Sequence, residues 1–494
     1  MKHILQTALL SLSVLLLSLM ATPAWTEQPT VEEGNAMLPP EAGVLLTTTL
    51  NGRTLKYRAS AGAIPVFNAA GKHAGDVAYT SYVLEGQSVS KRPVTFFFGG
   101  GPGACSTGAL DNGLGPKRLQ NGVQGDTPSD SVERTDNPAS WLEFTDMVFV
   151  DAIGTGFSRS YLSPDETAKE FYGVDQDVRY LSGVLFDWLI AKKRMPSPKY
   201  IVGESYGTVR TPKIVEELGL WRGVGVNGIV LISTLFQNLK GPIGDAVESL
   251  SPMAWAIDLP SMTAANFERQ GKTLSPELLQ EVEEYARGEY LTALTKGWSD
   301  PAGFDAMIKR VAGYTGLDEA KVRELGGRLD PFTFVREFSR SAGTAGSRYD
   351  INWMTVDPFP WSFEPQNQDA ILTTFVADGA AADYMTRVIG WNVKGRYWPF
   401  NPEVYPKWKG RDSLESLSAT RRIMALNPKL KVLVVNGYND LSTPFMLSKL
   451  AVDQMPPQLR GDRVFLKVYA GGHIFYDRMG SAMAFKKDAA RLYQ

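Results

Sequence analysis

Five short runs constrain the fold of this chain more than any other feature. Val94–Phe98, Met147–Asp151, Tyr200–Gly203, Gly228–Ser233 and Lys431–Asn436 are almost continuously apolar or β-branched, and each stops at or against Gly, Asp, Ser or Asn. A strand with one wet face alternates apolar and polar residues, whereas one covered on both faces does not. The five runs are therefore expected to be the inner strands of a mainly parallel sheet. Parallel neighbours need long crossovers, usually helical. Val174–Lys193 supplies one, with apolar residues at 178, 181, 185, 188 and 189 forming a single helical stripe. The expectation is an α/β fold with right-handed crossovers and a central sheet flanked by helices. Ahead of these runs, Gly43–Leu50, Thr54–Ser60 and Val77–Leu84 alternate and read as antiparallel strands.

Residues 236–425 interrupt the strand–helix alternation. Ser275-Pro276-Glu277 is a helix start with proline in the first turn, and Leu278, Val282 and Tyr285 follow on one face. Asp350 to Trp398 is dense in Trp, Pro, Phe and Tyr. The whole stretch is expected to be a largely helical cap inserted between two core parts, 43–235 and 426–494.

With 51 Lys plus Arg against 53 Asp plus Glu, a net charge of -2, the chain carries no field suited to nucleic acid. Its first residues are Met1-Lys2-His3, then an apolar run Ala8–Met20 and small residues Ala21-Thr22-Pro23-Ala24. That is the layout of a secretory signal peptide over residues 1–24, with a polar leader over 25–42; an uncleaved anchor is the alternative. No comparable apolar stretch follows, so no integral membrane segment is expected in the mature chain. Cys105 is the only cysteine, so no intrachain disulfide can form, and a bacterial periplasm suits the chain better than a eukaryotic secretory route. The oligomeric state is open, and a homodimer is compatible with the sequence.

Gly203-Glu204-Ser205-Tyr206-Gly207 follows an apolar strand and precedes a helical pattern. Gly-x-Ser-x-Gly in that context is a nucleophile elbow, where a sharp turn exposes the serine hydroxyl. A serine needs a base, and the chain has three histidines. His3 belongs to the signal segment. His73 lies in a polar, glycine-flanked stretch (Ala69–Gly75) that reads as a solvent-exposed turn. His473 follows the strand Val464–Tyr469 directly, on a loop where a catalytic imidazole would sit. Asp440, just after Lys431–Val435, is the acid best placed to orient it. The order Ser205, Asp440, His473 is that of α/β-hydrolases. Gly99–Gly103 lacks the Gly-Lys-Ser/Thr of a phosphate loop, and no spaced ligand cluster suggests a metal; no cofactor is expected.

These pieces together resemble the serine carboxypeptidase family, and especially its bacterial members. The resemblance rests on Arg92-Pro93-Val94-Thr95-Phe96 leading into Gly100-Gly101-Pro102-Gly103, on Val148–Asp151 with Gly154-Thr155-Gly156-Phe157-Ser158, and on Ser197–Tyr200 running into the elbow. It continues through Asn436-Gly437-Tyr438, Asp440 and Thr443-Pro444-Phe445 to Ala470-Gly471-Gly472-His473. It implies an α/β-hydrolase fold and cleavage of C-terminal peptide bonds of a peptide or protein through an acyl-enzyme. Ser205 would attack, His473 would shuttle the proton and Asp440 would hold His473. Backbone N–H groups of Gly101 and Tyr206 would form the oxyanion hole. Gly99, Gly100 and Glu204 fall where the family meets the substrate's terminal carboxylate. Here the chain departs from the family pattern, which has Asn at the position of Gly99, Trp at that of Phe97 and, in eukaryotic relatives, a disulfide cysteine at that of Ala104. Without the amide, Glu204 alone is a weaker clamp. An esterase or acyltransferase with the same triad is thus the first alternative, and a non-catalytic binding protein on the same scaffold the second. Cys105 reads as a small buried thiol.

Overall fold

A computed structural model describes residues 37–119, 133–237, 251–361, 375–411 and 414–494. The expected signal peptide, His3 and all of the polar leader up to residue 36 lie outside the described residues. Nine strands set the frame: β1 (Ala42–Leu50), β2 (Arg53–Phe67), β3 (His73–Leu84), β4 (Val94–Phe98), β5 (Asp146–Val150), β6 (Lys199–Glu204), β7 (Gly228–Ile232), β8 (Lys431–Gly437) and β9 (Val464–Tyr469). Among the described residues they order as β1-β2-β3-β5-β4-β6-β7-β8-β9, with the short strand Arg159–Ser160 paired to β3. The pairs from β1 to β5 by way of β2 and β3 are antiparallel. From β5 through β4, β6, β7 and β8 to β9 every pair is parallel. This is the α/β-hydrolase fold, a mostly parallel sheet flanked by helices.

The five apolar runs are the inner strands, and every residue of β4, β5 and β7 is buried. The alternation that a one-sided strand would show is hidden because both faces are covered. Phe96 and Phe98 face α2 (Val174–Ala191), the helix after α1 (Pro164–Phe171), where they pack with Leu181, Leu185 and Trp188. Phe97 points the other way, stacked on Phe149 at 4.5 Å and close to Trp141.

Two elements run longer than their sequence patterns. β2 continues to Phe67, because β3 pairs with it all the way to a Phe67–His73 partnership. The expected exposed turn at His73 is therefore corrected: His73 begins β3. Its Nε2 lies 2.8 Å from Asp76 Oδ1, and its ring packs between Phe67 and Tyr161. A polar flanking sequence conceals a histidine held by a carboxylate of its own strand.

Between β7 and β8 the described residues include helices α4 (Leu259–Arg269), α5 (Pro276–Arg287), α6 (Pro301–Thr315) and α7 (Pro331–Arg340), following the elbow helix α3 (Gly207–Arg222). Ser275 caps α5 by accepting from the Leu278 N–H at 3.2 Å. These helices share a core (Met262, Leu279, Val282, Ile308, Val311, Phe334) that also takes in Tyr438, Leu441 and Phe445, just after β8. The helical region thus packs directly on the loop that carries Asp440.

At the start of β5, buried Asp146 joins three segments. Its Oδ1 accepts from Arg92 Nε at 3.0 Å and from the Leu84 N–H at 3.0 Å, and its Oδ2 accepts from Arg194 Nη1 at 2.6 Å. Removing one partner of such a set strands buried charge. Asp146→Ala is expected to cost about 3–5 kcal/mol of stability in urea unfolding; an unchanged midpoint would contradict the role given to this carboxylate.

Candidate active site

The carboxyl ends of the parallel strands converge because their registers match. Phe98 pairs with Gly203, Glu204 with Ile232, Ile232 with Val435, and Gly437 with Tyr469. The glycine loop, the elbow, Ser233 and the loops bearing Asp440 and His473 therefore all leave the sheet along one edge, where ligands bind in open α/β sheets.

β6 passes into α3 through Ser205, whose φ of 54° is left-handed. Its N–H is held by Ile232 O at 2.9 Å. The flanking glycines are required by space: a Cβ at Gly203 would lie 2.2 Å from Gly207 O, and one at Gly207 would lie 2.5 Å from Phe98 O. Arg210, fully buried in the first turns of α3, donates from Nε to Asp177 Oδ2 at 2.7 Å and from Nη1 to Gly99 O at 3.3 Å. Tyr206 Oη also donates to Asp177 Oδ2, at 3.3 Å. One buried ion pair thus ties the elbow, α2 and the glycine loop together.

The glycine loop lies against the serine. A Cβ on Gly100 would come within 2.6 Å of Ser205 Cβ. The Gly99 N–H donates to Ser106 Oγ at 2.9 Å, and Asp151 collects the N–H groups of Ser106 and Thr107 at 2.7 and 3.2 Å. Burial pushes Asp151 up to about 6 in spite of those donors. A side chain at Gly99 is excluded by the same wrapping, since its Cβ would meet Cys105 O at 2.4 Å. Cys105 is buried, with its sulfur 3.3 Å from Tyr397 Oη.

His473 and Asp440 meet at 2.7 Å, Nδ1 to Oδ2. Asp440 is otherwise saturated: Oδ1 accepts from the N–H groups of Ser442 and Thr443 at 2.7 and 3.0 Å, and Oδ2 from Thr443 Oγ1 at 2.6 Å. Burial pulls the imidazole pKa down, but the charge and hydrogen bond of Asp440, with Glu204 behind them, leave it raised. The backbone of His473 is held on two sides, its N–H by Tyr349 O at 2.5 Å and its carbonyl by Ser233 Oγ at 2.6 Å. Ile232 and Ser233, consecutive residues at the end of β7, thus hold the serine and the histidine respectively.

Glu204 is buried beside this pair, and Tyr476 Oη donates to its Oε1 at 2.6 Å. Burial raises its pKa, outweighing the His473 charge and the Tyr476 hydrogen bond. Its neighbour Asp477 has neither carboxyl oxygen hydrogen-bonded, and burial pushes it up to about 7. Tyr476, Asp477, Asp151 and the Asp177–Arg210 pair are not among the site residues expected from the sequence. Only Asp151 leaves a signal there, as the polar residue closing an apolar run. Among the described residues no group of three or more His, Cys, Asp or Glu could hold a metal, and no helix is long and apolar enough to cross a membrane.

By its sheet order the chain has the α/β-hydrolase fold. Part of the chain is similar to known proteins. Residues 70–223, from within the loop before β3 to the end of α3, match the serine carboxypeptidase family model. It is 27% identical over 139 residues to serine carboxypeptidase-like 9 of Arabidopsis thaliana, covering 28% of this chain and 30% of that protein. It is 27% identical over 208 residues to a probable serine carboxypeptidase of Arthroderma benhamiae (37% and 36%), and 26% identical over 199 residues to carboxypeptidase sxa2 of Schizosaccharomyces pombe (40% and 36%). The matched segments thus span about a third of these curated relatives, none of them bacterial, so the expected affinity with bacterial members is not borne out. Among solved structures the chain is similar to esterase E22 at a TM-score of 0.32 and 12% identity, covering 93% of this chain and 100% of that one. A likeness of that size adds nothing to what the sheet order already establishes about the fold.

Gly100→Ala tests the contact between the glycine loop and the elbow. The added methyl has no room beside Ser205, so hydrolysis of a small p-nitrophenyl ester is expected to fall about 100-fold, as when an oxyanion donor is displaced. Turnover at the unsubstituted rate would contradict the packing.

Proposed function

We propose that this protein is an exported serine peptidase of carboxypeptidase type. The observation that carries the reading is the 2.7 Å His473–Asp440 bond, anchored through the end of β7 to the elbow that presents Ser205. His473 Nδ1 donates to Asp440, which leaves Nε2 free of its proton and able to take the one on Ser205 Oγ. Attack on the scissile carbonyl places negative charge on its oxygen, and the N–H groups of Gly101 and Tyr206 receive it. His473 then returns the proton to the departing amine, leaving an acyl-enzyme on Ser205. Water, deprotonated by the same imidazole, releases the acid product and restores the serine. Export is supported by the signal-like residues 1–24.

Glu204 supplies the selectivity for a free C-terminus. A carboxyl facing a carboxylate can hydrogen-bond to it only while protonated, and burial raises the Glu204 pKa above its ordinary 4.5. Gly99 contributes no side chain, and Gly100 adds backbone alone. The signs of the two titrations oppose each other. Neutral His473 is gained as pH rises through a pKa raised above 6.5, so kcat climbs with pH. Protonated Glu204 is lost as pH rises through its own raised pKa, so KM for a peptide acid climbs too.

The test compares a blocked dipeptide bearing a free C-terminus with its C-terminal amide. The acid is expected to be preferred, by a ratio that shrinks as pH rises. Glu204→Gln, which donates at any pH, is expected to flatten the pH dependence of KM. Equal turnover of acid and amide would remove the carboxypeptidase reading and favour the second one, an esterase or acyltransferase. That second reading has its own observation, the close approach of Cys105 O that forbids an amide side chain at Gly99.

A further inference from the structure

A polar network outside the triad joins the helical region to both catalytic loops. Its hub is Glu268, near the C-terminal end of α4. Glu268 Oε1 accepts from Arg478 Nη1 at 2.5 Å, and Oε2 accepts from Asn439 Nδ2 at 2.6 Å and from Asn352 Nδ2 at 2.7 Å. Arg478 Nη2 donates in turn to Asp350 Oδ2 at 2.9 Å. Burial pushes Glu268 up, yet Arg478 and the two amides hold it below the ordinary carboxylate range. The hub is thus a charged acceptor within a half-buried set of donors.

The placement of its partners suggests more than stability. Asn439 immediately precedes Asp440, and Arg478 lies five residues after His473. Asn439 also links the two loops through its backbone: its N–H donates to Gly471 O at 2.9 Å, and its carbonyl accepts from the Ile351 N–H at 3.3 Å. On the other side of Asp440, the Leu441 N–H donates to Arg348 O at 2.8 Å. Residues 348–352 therefore run along the acid loop while Tyr349 O takes the His473 N–H. There is no slack between them, since a Cβ on Gly472 would lie 1.9 Å from Tyr349 O. Neither loop is strand or helix from Tyr438 to Pro444, nor from Ala470 to Ile474, so tertiary bonds fix their separation.

We propose that Glu268 and Arg478 are positioning residues, an ionic clasp through which the helical region sets the distance between Asp440 and His473. The inference rests on reading Ser205, His473 and Asp440 as catalytic. The clasp touches no reacting atom. It acts by holding the loops of the acid and the base at the spacing their 2.7 Å bond requires. A displacement of the order of 1 Å at such a site can cost about 100-fold in rate.

The experiment measures inactivation of Ser205 by a fluorophosphonate, with the number of titratable sites counted separately from the rate at each site. Glu268→Gln keeps the shape but replaces one acceptor with a donor facing other donors. It is expected to lower the rate per site about 10- to 100-fold, with the number of sites and KM for a small ester little changed. Arg478→Lys, which restores the charge, is expected to recover most of what Arg478→Gln loses. Asn439→Ala and Asn352→Ala each remove one hydrogen bond to the same oxygen, but only Asn439 adjoins the acid. Asn439→Ala is expected to lower the rate per site at least tenfold, Asn352→Ala less than threefold. Equal effects of the two, or a loss of sites with the rate at each remaining site unchanged, would reduce the clasp to scaffolding and overturn the proposal. Should Arg478→Gln fail to fold, the two asparagine variants decide alone. An unsubstituted chain that does not label would overturn the triad reading and the clasp with it, whereas labelling that all the variants match would overturn the clasp alone.

Discussion

The matched register of the parallel strands is the constraint on which the rest of the structure depends. Backbone hydrogen bonding fixes which residues lie abreast, and here Phe98, Glu204, Ile232, Gly437 and Tyr469 all reach one edge of the sheet. A slip of one residue in any strand would turn its side chains to the opposite face. It would also move a loop by a residue's length, about 3.3 Å along the strand. The glycine loop, the elbow and the loops of Asp440 and His473 are thus aligned before any of their side chains is considered. The burial of whole strands enforces the register, since Phe96 and Phe98 cannot exchange faces with Phe97 without exchanging cores.

Burial at that edge has a consequence for charge. Ionised groups taken out of water need partners, and most of those at the site have them in full. Asp440 accepts from two backbone N–H groups, Thr443 and His473. Asp177 faces Arg210, and Asp151 gathers the start of the loop after the glycines. Glu204 and Asp477 have fewer partners, and burial raises both, as it raises Asp151 and Asp177 in spite of theirs. The same burial therefore leaves Asp440 ringed by donors and bonded to His473, while it biases Glu204 toward its protonated form. Environment, more than residue type, separates their roles.

Much of the fold is legible in the sequence because a short, continuous apolar run bounded by turn residues suits a strand covered on both faces and little else, and the stripe at 178–189 suits only a helix. The elbow is legible too, since glycines at 203 and 207 announce a close approach that the structure shows against Gly207 O and Phe98 O. Elimination among three histidines leaves His473 for a different reason, its position on a loop just after the strand Val464–Tyr469. Residues whose partners are remote in sequence stay hidden. Tyr476 reaches Glu204 across 272 positions and Arg478 reaches Glu268 across 210, and no local pattern encodes such pairs. His73 misleads for a similar reason: its polar neighbours suggest a turn, while Asp76 and Tyr161 hold it at the head of a strand. Gly99 lies between these cases. Its departure from the family pattern is visible in the sequence, but its cause, Cys105 O pressed against it, belongs to the folded chain.

The proposed hydrolysis requires Ser205 to be a nucleophile activated by the His473–Asp440 pair. Peptide mapping of the folded protein after exposure to a fluorophosphonate tests this most directly. One phosphonyl adduct per chain is predicted, on Ser205, absent in Ser205→Ala and formed at least ~1000-fold more slowly in His473→Ala. An unlabelled Ser205 in folded protein, or an adduct that persists when Ser205 is replaced, would contradict it.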